Sequence, residues 1–283
     1  MKKYLAMLLA LVMIFALAAC GSSKTEPAPA EEGSAEAAET VESEVAAVQA
    51  AGKLVVGITD YKPMDYKENE EWIGFDADMA KAFAEVLGVD VEFVEIDWDN
   101  KIMELNGGSV DCIWNGMTLT DEVKSSMDCS IPYCVNTQVV IVAADKAAQY
   151  ADEASLDGLS VAVEAGSAGE AAANNLEGVT VTPVKDQASA LMEVASGTSD
   201  ACVIDLIMAA AMVGEGTDYA DLAIAVTLGA ENAEEFGVGF RQGSDLVAAF
   251  NDFFAAAVAD GTVMQLAEQY GIAGMLAADV VLP

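Results

Sequence analysis

Residues 115–128, NGMTLTDEVKSSMD, lead from a turn into the start of a helix. Unpaired backbone N–H groups at a helix start suit a carboxylate or phosphate. Yet this stretch carries three acids, Asp121, Glu122 and Asp128, against the single Lys124. Asp121 and Glu122 complement the helix dipole themselves, which lowers its appeal to an external anion. A second stretch, VAVEAGSAGE, places Glu164 just ahead of Gly166 and Ser167, so backbone N–H groups and one hydroxyl again sit beside an acid. Asp205 closes the apolar run ACVID, where it is either a solvated helix cap or a carboxylate aimed at a cleft. Tyr61 and Trp98 offer π faces to an aliphatic stem or a cation, and either one alone reads equally well as core.

The composition narrows what these groups can do. With 47 acids, 12 bases and a formal charge of −35, the chain is a poor match for nucleic acid, whose phosphates need Lys and Arg. The lack of histidine removes the Ser-His-Asp triad, the Cys-His pair and His-ligated zinc. The five cysteines form no CxxC pair, so neither a metal nor a cofactor is expected. Cys112, Cys129, Cys134 and Cys202 flank or occupy apolar runs and read as buried thiols, with a Cys129–Cys134 bridge as the alternative.

The elements that must position these residues follow an export signal. Lys2 and Lys3 precede the apolar run Tyr4 to Ala19, which ends in Leu17-Ala18-Ala19-Cys20 before Gly21-Ser22-Ser23. As a helix the run would span about 24 Å, short of the roughly 30 Å hydrocarbon core of a bilayer. A cleaved signal fits better than an uncleaved anchor. The pattern resembles the bacterial lipoprotein signal, which implies diacylglyceryl attachment at Cys20 and a membrane-bound, extracytoplasmic chain. Residues 1–20 are thus signal and lipobox, and residues 21–50, rich in Ala, Glu, Ser and Pro, read as a disordered acidic tether.

Beyond the tether, strand and helix patterns alternate. Lys53–Ile58 reads as a buried strand, Asp76–Leu87 as an amphipathic helix stopped by Gly88, and Val89–Ile96 as a strand. A nine-residue echo relates two halves: Met103-Glu-Leu-x-x-Gly-x-x-Asp111 and Met192-Glu-Val-x-x-Gly-x-x-Asp200, each followed by a cysteine-containing apolar strand. Two similar α/β lobes are the simplest reading. Residues 51–140 plus 237–283 would form lobe one and 141–236 lobe two, with Gln138–Ala143 and Phe236–Phe240 as strands crossing the hinge. The cleft between lobes is then the default ligand site.

The landmarks LVVGITDYKPMDY, GFDADMAKAFAEVLGVDVEF, GSVDCIWNGMTLTDE, VAVEAGSAGE, TSDACVIDL and EFGVGFRQGSDL, in this order, resemble the bacterial family 3 extracellular solute-binding proteins. The resemblance runs from about Lys53 to Tyr270. It implies a two-lobed, periplasmic-binding-protein-like (type II) α/β fold and a monomeric amino-acid receptor for an ABC permease rather than an enzyme. It also implies that Tyr61 and Trp98 are aromatic walls, that Asn115, Gly116, Met117, Thr118, Gly166 and Ser167 meet the ligand, and that Asp205 pairs with its α-amino group.

Two departures stand out. The arginine that usually clamps the ligand carboxylate is Val123 here, and a usual hydroxyl position is Ala168. A ligand that relies on an amine more than on a carboxylate is therefore expected. The alternatives are a ligand-binding input for a sensor and a cyclohexadienyl-dehydratase-like enzyme, in which Glu164 or Asp205 would be the acid.

Overall fold

The computed structural model describes residues 43–229 and 233–281. The signal, Cys20 and most of the expected tether lie outside the described residues. Lobe one opens with α1 (Glu44–Ala51), β1 (Lys53–Ile58), a hairpin of β2 (Tyr66–Glu68) and β3 (Glu71–Ile73), α2 (Phe75–Leu87) and β4 (Asp90–Glu95). It continues through α3 (Lys101–Gly107), β5 (Cys112–Thr118), α4 (Asp121–Ser126), β6 (Asp128–Cys129) and β7 (Cys134–Asn136). Lobe two holds β8 (Gln138–Ala143), β9 (Ser160–Glu164), α5 (Ala168–Asn174), β10 (Thr180–Val184), α6 (Gln187–Ser196), β11 (Ala201–Asp205), α7 (Leu206–Met212) and β12 (Leu222–Leu228). The chain returns to lobe one with β13 (Glu234–Phe240), α8 (Leu246–Asp260), α9 (Thr262–Gln269) and α10 (Ala278–Val281).

Each lobe is an α/β sheet of one plan. In lobe one β4, β1 and β5 run parallel in that order and β13 joins β5 antiparallel; in lobe two β10, β9 and β11 run parallel and β8 joins β11 antiparallel. The echo in the sequence occupies equivalent places. Asp111 Oδ2 accepts from Val55 N on β1 at 2.9 Å, and Asp200 Oδ2 accepts from Ser160 N on β9 at 3.0 Å. Each aspartate thus pins the neighbouring strand at the entry to a central one. The glycine before it, Gly108 or Gly197, caps the preceding helix in the left-handed conformation.

The sheets exchange the chain earlier than the sequence suggests. Among the described residues β8 pairs only within lobe two and β13 only within lobe one, so the first hand-over falls at Thr137 and the second between β12 and β13. The two crossings are tied, because the Thr137 hydroxyl donates to the Leu228 carbonyl oxygen at 2.9 Å. The end of the expected tether also differs, since residues 44–51 are the helix α1. Ser43 caps it by accepting from Ala46 N, Gly52 ends it at φ 73°, and Val48 is buried. Docking supplies what composition does not: Glu44 pairs with Arg241, while Asp245 accepts from Ser43 Oγ and Val45 N. Arg241 also donates to the carbonyls of Leu105 and Val110, a structural role. Cys112, Cys129, Cys134 and Cys202 are free thiols.

Candidate ligand-binding site

A cavity of about 280 Å³ lies between the lobes. Trp98, Asn115, Gly116, Met117 and Thr118 wall it from lobe one, and Gly166, Ser167 and Asp205 from lobe two. Of the residues expected from sequence to meet the ligand, Tyr61 alone is absent from this lining. Its ring is buried in the core, edge-on to Phe236 with centroids 6.4 Å apart, and it occupies the space a Cβ on Gly116 would need, 2.5 Å from Tyr61 Cε1. Gly116 has φ +54°, so glycine is required there twice over.

Gly116, Met117 and Thr118, expected as a turn, are the last residues of β5; Met117 and Thr118 pair with β13, and Gly116 sits where the register shifts. Gly116 N donates to Asp76 Oδ2 at 2.6 Å, beneath the cavity rather than into it. Asn115 is likewise engaged: its Oδ1 accepts from Thr59 N at 2.9 Å and its Nδ2 donates to Thr59 Oγ1 at 2.7 Å. These residues shape a wall more than they offer free donors.

Each of the two helix starts at the cavity is capped by its own hydroxyl residue. Thr120 caps α4 by accepting from Val123 N, with Asp121 and Glu122 in the first turn. Ser167 caps α5 by accepting from Glu170 N at 3.0 Å, while Gly166 N donates to Glu170 Oε2 at 2.7 Å. Val123, in the place of the missing arginine, packs with Trp98, Leu105 and Met117 in an apolar cluster. Acids in both first turns, Asp121 and Glu122 in α4 and Glu170 in α5, lower the appeal of these starts to an external anion.

Carboxylates dominate instead. Asp205 Oδ1 accepts from the amides of Asn136 and Gln138, and Oδ2 accepts from Gln187 Nε2 at 2.5 Å. Gln187 also takes the Asp205 N–H on its Oε1 at 2.9 Å, so one amide fixes both the backbone and the side chain of Asp205. A carboxylate offers about four acceptor positions, and the three amides take three of them. Burial raises the Asp205 carboxyl to about 6, opposed by the hydrogen bond from Gln187, with Glu234 adding to the rise. The Tyr61 hydroxyl lies near Asp205 but makes no hydrogen bond of normal geometry.

Lys101, Gln187, Asn136, Gln138 and Glu234 were not singled out from sequence. Asn136 and Gln138 flank Thr137 in a polar interruption of the apolar run CVNTQVVIV, and that interruption is a readable signal. Both also donate to Glu234 Oε2, at 3.2 and 2.8 Å, so they join the two crossings chemically. Lys101 is the sole cation lining the cavity among the described residues. Its Nζ donates to Trp98 O at 3.2 Å and Gly166 O at 2.8 Å and lies 5.0 Å from the Trp98 ring centroid. Burial lowers its pKa, opposed by Glu122 and Glu164.

A two-lobed sheet plan, tied crossings and an interlobe cavity with a fixed carboxylate define a two-lobed solute-binding protein. The sequence model of the bacterial extracellular solute-binding proteins, family 3, matches residues 54–273, and the chain belongs to that family. It is 31% identical over 257 residues to the arginine-binding extracellular protein ArtP of Bacillus subtilis, covering 89% of this chain and 91% of ArtP. Among solved structures, a variant of ArgBP from T. maritima superposes with a TM-score of 0.75 at 29% identity, covering 80% of this chain and 98% of that one. The ancestral amino acid-binding protein AncCDT-1, a precursor of cyclohexadienyl dehydratase, superposes at 0.73 with 33% identity, covering 81% and 99%.

Proposed function

We propose that the chain is a lipid-anchored, extracytoplasmic receptor of an ABC importer that captures an amino acid or related amine-bearing solute and closes its lobes over it. The observation that carries this reading is Asp205: a buried carboxylate, held by three side-chain amides, at an interlobe cavity. ArtP and AncCDT-1, named for binding arginine and amino acids, support the ligand class. Contacts from both lobes to one ligand would make the closed arrangement the better binder, which is what closure requires thermodynamically.

The test is mass spectrometry of what co-purifies with the full chain, then melting in the presence of amino acids, amines and short peptides. A true ligand at about 100 times its Kd adds about 2.7 kcal/mol, roughly 5–10 °C for a chain of this size. No shift from any of them rejects the reading. Cys20→Ser should abolish palmitate incorporation and release the chain from membranes.

A second reading draws on the relation to AncCDT-1. Glu164, its carboxyl raised by burial to about 8, suits a general acid. Turnover of a cyclohexadienyl acid would establish it. The loss of side-chain donors for a carboxylate weighs against such a substrate.

A further inference from the structure

Glu164 ends β9 at the cavity and is 2% exposed. Its Oε1 is buried with no hydrogen-bond partner among the described residues. No cation lies within ion-pair distance of it among those residues, because Lys101 is held by the carbonyls of Trp98 and Gly166. A buried, unpartnered carboxyl oxygen at a ligand cavity is costly unless a ligand group meets it. Asp205, by contrast, is already bonded to three amides. The cavity therefore presents two separate acceptors from lobe two, prepared differently.

We propose that Glu164 receives a second cationic group of the ligand, so that the receptor selects solutes with two positively charged nitrogens. This rests on the amine-receptor reading above. Asp205 takes one ammonium group, and Glu164 takes the other ammonium or guanidinium. Acids in the first turns of both helices, Asp121, Glu122 and Glu170, weaken the pull of these starts on an acidic solute. Two sources share this chemistry: a basic amino acid, whose carboxylate would turn to Lys101, and a diamine, which has no carboxylate to place.

Isothermal titration of the full chain, purified in mild detergent, with L-arginine, L-ornithine, putrescine, L-citrulline and L-glutamine tests the proposal. L-citrulline matches arginine in shape without the side-chain charge. At least one dicationic solute should bind about 100-fold tighter than citrulline and glutamine, and Glu164→Gln should cut that ratio to about fivefold or less while leaving citrulline within about threefold. Putrescine binding as well as arginine assigns the diamine; arginine or ornithine alone assigns the amino acid. An unchanged ratio in Glu164→Gln overturns the proposal, as does tighter binding of the neutral solutes by the native chain. Equal loss for citrulline and arginine also overturns it, because Glu164 would then be sharing the first ammonium. In each of these cases the receptor reading stands, whereas binding of no amino acid or amine removes both. An unchanged ligand-free melting temperature for Glu164→Gln shows that the variant is folded.

Discussion

Lys101 in lobe one donates a 2.8 Å hydrogen bond to the carbonyl oxygen of Gly166 in lobe two, across the mouth of the cavity. The same lysine caps the wall formed by Trp98, so one buried cation both lines the site and joins the lobes. Lys62 with Asp218 at 3.0 Å, and Lys185 with Glu95, add bridges between the lobes at exposed positions. Exposed pairs of that kind are worth little, whereas a hydrogen bond from a buried charge is worth about 1.5–3 kcal/mol.

Replacing Lys101 by Met should therefore weaken ligand binding by about 10- to 100-fold. Stopped-flow release should show the loss mainly as faster dissociation. Unchanged affinity would mean that the Lys101–Gly166 bond is absent from the ligand-bound arrangement.

Gly166→Ala should separate closure from folding. Its φ is +71°, and a Cβ there would lie 2.6 Å from Asp99 Cα on the opposite lobe. Backbone stands on both sides of that clash, so the lobes must part. We expect a loss of about 100-fold or more in affinity, a larger radius of gyration with ligand in solution scattering, and a ligand-free stability lowered by only about 1 kcal/mol.

Affinity for a cationic solute should rise with pH. The Glu164 carboxyl stands at about 8, raised by burial first, then by Asp205 and Asp186, with the Thr59 hydroxyl and Lys101 pulling it down. A ligand cation needs this group ionised, so below about pH 8 binding must expel a proton and weakens by up to about tenfold per pH unit. Asp205, at about 6, adds a second step at lower pH. Titrations from pH 6 to 9, in buffers of different ionisation enthalpy, should detect the released proton.

Stability of the ligand-free chain should move the opposite way. Both carboxyl oxygens of Asp65 are buried without a hydrogen bond among the described residues, and neighbouring Asp76 has one bare oxygen. Burial pushes Asp76 to about 7 and Asp65 well above the usual carboxylate range. Both folded values lie above the unfolded value of about 3.9, so the folded state holds more protons in this window and stability falls as pH rises through it. Between pH 5 and 8 the melting temperature should drop by at least about 5 °C. Asp65→Asn cannot ionise and should flatten that slope.

Much of this architecture was legible in the sequence because it rests on local patterns. The spacing of Met79, Phe83 and Leu87 places α2, and the echo around Asp111 and Asp200 locates the central strand of each lobe. Asp205 stands out as the acid that closes the second echo strand, whereas Val123 stands out only against the pattern of the family the chain resembles. The missed features depend on distant partners. Lys101 reads as one charge among WDNK, and its meaning comes from Gly166, 65 residues away. Residues 44–51 have the composition of a tether, and become a helix because Arg241, 197 residues from Glu44, is there to receive them. Tyr61 precedes Pro63 as a loop aromatic would, yet Gly116 opens a slot that takes its ring inside.

The Arg241 junction can be tested directly. Arg241→Ala removes the partner of Glu44 and Asp111 and strands the carbonyls of Leu105 and Val110. Losing such a half-buried network costs about 2–4 kcal/mol. A melting temperature lower by about 5–15 °C with ligand affinity unchanged is expected. A change in affinity would connect this edge of lobe one to the cleft.

The docking of α1 has a mechanical counterpart at the other end, where Ala277 N donates to Tyr133 O and Val280 enters the core. Residues 43 and 281 thus both belong to lobe one, and lobe two is spliced between Thr137 and β13. Tension applied to those ends enters lobe one alone, with lobe two outside the force path. A stretching trace should record lobe one yielding first, and lobe two should bear load only once the seam between Thr137 and Leu228 has torn.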